Sequence, residues 1–173
     1  MERASSSDAF GLLGLPQQFD LDPSVIEQAF FDRSKDLHPD RFASAPPAER
    51  VAALSRSRAL NDAYQTLKKP VLRAQYLLER AGVTIGDNER LEPEQIMQVL
   101  EAREELAEAR VAHDLGTIGR LELAMKQRRD DALAELPPLF AAGDLAGVKR
   151  VLISLRYVDR YLEECDAALD DEE

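Results

Sequence analysis

The chain has 173 residues, enough for one large domain or two small ones. Acidic residues outnumber basic ones by 33 to 22, a formal charge of −11 that argues against a general nucleic-acid binder and against anionic membranes as a main target, since both need a basic field. Cys165 is the single cysteine, so no internal disulfide or cysteine-built metal or cluster site is expected, and two histidines, His38 and His113, are too few for most metal cages. The first residues, Met1 to Ser5, lack the apolar core of a signal peptide and the Arg-rich stretch of a transit peptide. No apolar run is long enough to span a membrane. The expectation is a cytoplasmic monomer with no resident metal or cofactor.

Alternating β-branched runs with hairpin signals are missing from the sequence, so the chain reads as all-α. A short first helix is expected over residues 8–14, closed by Pro16. Asp22-Pro23 opens a second helix, with Asp22 as cap and Pro23 at the first helical position. Ile26, Phe30 and Leu37 give that helix an apolar face. It must stop near Leu37, because Pro39 disfavours the α region for the residue before it. Residues 43–47 read as a loop, and a third helix follows over 48–67 with Leu60, Tyr64 and Leu67 on one stripe. Pro70 opens a fourth helix, Gly82 ends it, and Gly86-Asp87-Asn88 is a turn in a polar linker.

Pro93 starts a second set of helices, the first over 93–112. The next covers 114–136, where Pro137-Pro138 is expected to break or kink it. The last begins near Asp144. Its residues Val148, Val151, Leu155, Val158, Leu162, Cys165 and Leu169 alternate spacings of three and four, which suits packing against other helices. The tail from Asp170 to Glu173 is a solvated acidic end.

His38-Pro39-Asp40 lies between the second and third helices. Proline stiffens the loop, Asp40 can accept a bidentate arginine, and His38 can donate or accept a hydrogen bond. A stiff exposed loop loses little entropy on docking. The tripeptide alone leaves open that Asp40 only caps a turn and His38 only ends a helix. The flanks add to it. Asp8-Ala9-Phe10-Gly11-Leu12-Leu13-Gly14-Leu15-Pro16, Leu37 to Phe42, Leu60-Asn61-Asp62-Ala63-Tyr64-Gln65-Thr66-Leu67, Pro70, and Arg73-Ala74-Gln75-Tyr76-Leu77-Leu78 together resemble the HscB family, J-type co-chaperones of iron–sulfur cluster assembly.

The resemblance implies an N-terminal J-domain over 1–82, a linker over 83–92 and a C-terminal scaffold-binding three-helix bundle over 93–173. It implies that His38, Pro39 and Asp40 engage an HscA-type ATPase chaperone in a bacterial cytoplasm and speed its ATP hydrolysis, so that the chain is not itself an enzyme. Arg33, Lys35 and Arg41 are the candidates for the accompanying basic face. Asp32 and Asp36 interrupt it, so electrostatic steering should be weaker than in strongly basic J-domains.

After Pro93, Val99, Ala102, Leu106 and Ala109 form a core stripe, while Ile96, Met97 and Leu100 sit beside it with Glu101, Glu104 and Glu108 close by. Spacing alone leaves open that Ile96, Met97 and Leu100 only widen the core stripe. The run from Ile96 to Leu106 is, however, similar to the family segment that binds the IscU-type cluster scaffold. That likeness implies Ile96, Met97, Leu100, Glu101, Glu104 and Glu108 as contacts, with Tyr157 completing the patch. Isoleucine at 96 departs from the leucine expected there. Cysteine-based zinc modules of some eukaryotic relatives have no counterpart near this N-terminus, so no metal is expected. Cys165 is read as a buried small hydrophobe and His113 as structural, near a helix end. The main rival is a J-domain protein that delivers a different client.

Overall fold

The computed structural model describes residues 8–37, 39–42 and 44–170, with the backbone alone at Pro39 and Asp40. Seven α-helices and one 3₁₀ turn make up the regular structure of these residues, and no strand occurs among them. The chain divides into two units, Met1–Ala81 and Gly82–Glu173.

In the first unit, α1 (Ala9–Leu13) is capped by Asp8, whose Oδ1 accepts the Gly11 N–H at 2.7 Å. Gly14, not Pro16, closes it. Its φ of 68° belongs to the left-handed region, and a Cβ there would collide with the Arg33 guanidinium. α2 (Pro23–Asp36) starts as the Asp22-Pro23 signal requires, with Asp22 Oδ1 accepting from Ser24 N at 2.8 Å. Leu37 ends it, and the 3₁₀ turn (Pro39–Phe42) leads into α3 (Pro47–Lys68). Phe30 stacks on Tyr64 at 4.2 Å, while Leu37, later on the chain, lines one cleft with Ala53, earlier on α3, so α2 and α3 run antiparallel. Phe10, Leu13, Ile26, Leu60, Ala63 and Leu67 fill the core between α1, α2 and α3. α4 (Pro70–Arg80) closes the unit with Ala74 and Leu78 fully buried.

The second unit begins with a segment fastened to it. Leu91 is buried, Glu89 pairs with Lys149, and Arg156 Nη1 donates to Gly86 O at 3.3 Å. Residues 83–92, read as a linker, therefore have partners within this unit. α5 (Pro93–Val111), α6 (Leu115–Ala142) and α7 (Leu145–Asp170) form the bundle. His113, at φ 54°, turns the chain out of α5. α7 supplies most of the core, with Val148, Val151, Leu155, Val158 and Cys165 of the expected seam joined by Leu152, Tyr161 and Ala168.

Of the break or kink expected at Pro137-Pro138, the break does not occur. α6 does not end at Leu136 but runs through Pro137 and Pro138 to Ala142, where Gly143 at φ 69° terminates it. Two prolines remove two helical donors and each costs about 3 kcal/mol in a helix interior. Packing offsets this: Leu136 is fully buried, and Leu139 and Phe140 are half-buried. Pro138 and Ala134 lie on the exposed side, where water can reach the Ala134 carbonyl left without its helical donor.

Candidate functional site

Each unit carries one candidate surface. The first lies where α2 meets the 3₁₀ turn. His38 lies outside the described residues, and of Pro39 and Asp40 only the backbone, in the turn, is described. The basic candidates around them are exposed but engaged. Lys35 Nζ contacts Asp32 Oδ1 at 3.0 Å and lies 5.8 Å from the Phe31 ring centre. Arg41 Nη1 donates to Asp36 Oδ1 at 2.7 Å and to the Lys35 carbonyl at 3.4 Å. Arg33 lies against Gly14. Hydrogen bonds from Gln28 and then from Lys35 hold the Asp32 carboxyl below the usual range. The acidic residues that interrupt the basic run in sequence thus bind its members in space. Exposed pairs of this kind contribute less than about 1 kcal/mol, so a partner's carboxylate can displace them.

Beside this turn is an apolar cleft of about 210 Å³, lined by Leu37, Phe42, Arg50, Ala53 and Leu54. Val51 and Leu54 are 68 % and 67 % exposed. The sequence reading did not single out this cleft. Its signal was the run Val51-Ala52-Ala53-Leu54, too wide in apolar character for a single buried stripe.

The second surface lies on α5. Leu106 and Ala109 are buried and Val99 and Ala102 half-buried, so the expected core stripe faces inward. Met97 and Leu100 are 57 % and 55 % exposed, and Ile96 is half-buried at the edge of the same patch. Glu101, Glu104 and Glu108 are exposed and continue the stripe at spacings of three and four. Tyr157, half-buried on α7, lines a small crevice together with Gln98 and Val99 of α5, which brings it beside the helix that carries the patch. The arrangement is an apolar strip bordered by carboxylates, suited to a partner that is itself apolar at the centre and basic at the rim.

Cys165 is fully buried, and burial pushes its thiol up to about 11, so it is no thiolate at neutral pH. No group of three or more His, Cys, Asp or Glu among the described residues is placed to hold a metal ion. Among the described residues, no helix is long and apolar enough to cross a membrane.

The motif Arg73-Ala74-Gln75-Tyr76-Leu77-Leu78 has a structural meaning. The Tyr76 hydroxyl accepts the Ala9 N–H at 3.0 Å, and Arg73 Nη1 donates to the Leu67 carbonyl at 2.7 Å while its guanidinium covers the Phe19 ring. Ala74 and Leu78 are core residues.

Known proteins match both units. Residues 8–76 match the family described as "DnaJ domain", and residues 91–166 the family described as "HSCB C-terminal oligomerisation domain". The "Co-chaperone protein HscB homolog" of Azoarcus is 35 % identical over 166 residues, 94 % of this chain and 94 % of its own. That of Burkholderia thailandensis is 35 % identical over 163 residues, 93 % of each chain. The solved structure of "Chaperone HscB from Vibrio cholerae" superposes with a TM-score of 0.83 at 30 % identity, covering 96 % of this chain and 99 % of that one. Human co-chaperone HscB, at 23 % identity, shares the fold with a TM-score of 0.86 over 95 % of this chain and 83 % of that one. With both units matched in order and relatives aligned over nearly the whole length, the chain belongs to the HscB family of J-domain co-chaperones.

Proposed function

We propose that this chain uses the loop His38-Pro39-Asp40, with Arg33, Lys35 and Arg41 beside it, to stimulate ATP hydrolysis by an HscA-type chaperone. Through Ile96, Met97, Leu100, Glu101, Glu104, Glu108 and Tyr157 it delivers an IscU-type scaffold protein to that chaperone during iron–sulfur cluster assembly. The chemistry takes place in the ATPase partner; this chain binds and positions and is not an enzyme. A bacterial cytoplasmic monomer, working on protein partners without a resident cofactor, fits this role.

One observation carries the reading. Met97 and Leu100 stand more than half exposed on a helix whose inward face is already supplied by other residues. Large apolar side chains grouped beside a row of carboxylates suit a docking surface, and methionine adapts to an irregular partner. The test is calorimetric titration of the purified scaffold protein into the wild-type chain, Met97→Ala and Leu100→Ala. Truncating a well-buried interface anchor costs about 2 kcal/mol, over tenfold in affinity. Each variant should therefore weaken binding at least several-fold. Unchanged affinity in a folded double variant contradicts the reading and favours a different client.

A further inference from the structure

The first half of α5 carries the exposed strip but little of the bundle's core. Its buried residues, Leu106 and Ala109, both lie in the second half. Beneath the first half is a narrow crevice of about 10 Å³ lined by Leu91, Gln98, Val99, Met125, Tyr157 and Tyr161, among others. Helix segments with so few buried apolar contacts open most readily.

Polar contacts hold this half to α7. The Tyr161 hydroxyl donates to the Ala102 carbonyl at 2.8 Å. Tyr161 is 1 % exposed, and burial, assisted by neighbouring acids, pushes its phenol up to about 12, so it remains a donor at neutral pH. One residue further along α5, Arg103 Nη2 donates to Glu164 Oε1 at 2.7 Å, about one turn beyond Tyr161 on α7. The Arg103 Nε is buried without a hydrogen-bond partner. Tyr157 lies one turn before Tyr161 on the same helix.

We infer that Tyr161 and the Arg103–Glu164 pair are positioning residues of the scaffold surface: they fix α5 on α7 so that Met97 and Leu100 from one helix and Tyr157 from the other present a single face. This rests on the scaffold reading proposed above. None of the three needs to touch the scaffold; they hold its contact residues in the bound arrangement beforehand, which lowers the ordering cost of docking.

Three variants test it by titration with the purified scaffold. Tyr161→Phe keeps the ring and removes only the hydroxyl, and should weaken binding about fivefold, as for loss of one neutral hydrogen bond. Arg103→Glu sets like charges against each other and should cost about tenfold. Arg103→Glu combined with Glu164→Arg rebuilds the pair in reverse and should bring affinity back to within about twofold of wild type. Hydrogen exchange at the amides of 96–105 should quicken in both single variants and slow again in the pair. ATPase stimulation without scaffold should be unchanged in all three. Wild-type affinity in both single variants, or no recovery in the reversed pair, overturns the inference. Leu100→Ala, titrated alongside, separates the two layers. If it weakens binding while Tyr161→Phe and Arg103→Glu do not, only the positioning role fails. If it binds as wild type, the scaffold reading fails and this inference with it.

Discussion

The Tyr76 hydroxyl accepts the Ala9 amide proton at 3.0 Å, and its ring centre lies 5.9 Å from that of Phe10. α1 has five residues and cannot persist alone, because the nucleus of a helix costs more than one turn returns. Its first-turn donors need partners, and Tyr76 supplies one from α4. Tyr76→Phe should therefore lower the stability of the first unit by about 1 kcal/mol, read as a shift of the urea midpoint at unchanged slope. An unmoved midpoint would show the bond to be idle. Tyr161 and Cys165 make a second prediction at this scale. Both keep their protons longer folded than unfolded: burial raises Cys165 from 9.0 to about 11 and Tyr161 from 10.0 to about 12. Their contribution is whole below pH 9 and 10, respectively, and is lost as pH rises through the folded values, because the unfolded chain then releases protons first. The bundle should lose stability between pH 9 and 12, with the fall in Cys165→Ala beginning nearer pH 10. Denaturant titrations across that range check it, and a flat profile contradicts it.

Helices show where sequence reading works and where it stops. Asp22-Pro23 and Pro93 set the starts of α2 and α5 through local chemistry that needs no tertiary knowledge. The inward stripe of α5 was legible from its spacing, and so were the outward Met97 and Leu100 once a resemblance gave them a purpose. The end of α6 was not legible. Pro137-Pro138 is a strong local stop, and what overrides it is burial of Leu136 and packing of the turns beyond, a property of the bundle rather than of the segment. Nor did spacing reveal that Asp32 and Asp36 bind Lys35 and Arg41, since charges alternating along a helix do not say which rotamers meet. The α6 conflict is testable. Pro138 is exposed within the helix, so Pro138→Ala should restore a donor and stabilise the bundle by about 1–3 kcal/mol, raising the thermal midpoint. A lowered midpoint would mean that the proline shapes the α6–α7 turn in a way alanine does not.

Across the whole molecule the charge is unevenly divided. Met1–Ala81 holds eleven acidic and eleven basic residues, while Gly82–Glu173 holds twenty-two acidic and eleven basic, so the entire net charge of −11 belongs to the second unit. A neutral first unit offers little long-range steering to a chaperone, whereas an acidic second unit attracts a basic partner over about a Debye length, near 8 Å at physiological salt. Scaffold binding should therefore weaken with added salt more steeply than ATPase stimulation measured without scaffold; equal slopes for the two would contradict this division. The central claim is that one chain joins two separable activities, and steady-state ATP turnover by an HscA-type chaperone tests it most directly. Turnover is measured with the wild-type chain, Asp40→Asn and Leu100→Ala, each with and without scaffold protein. The wild type should stimulate alone and further with scaffold. Asp40→Asn should stimulate in neither case, and Leu100→Ala should keep the first effect while losing the second. A wild-type chain that leaves turnover unchanged, or an Asp40→Asn variant as active as wild type, would contradict the account.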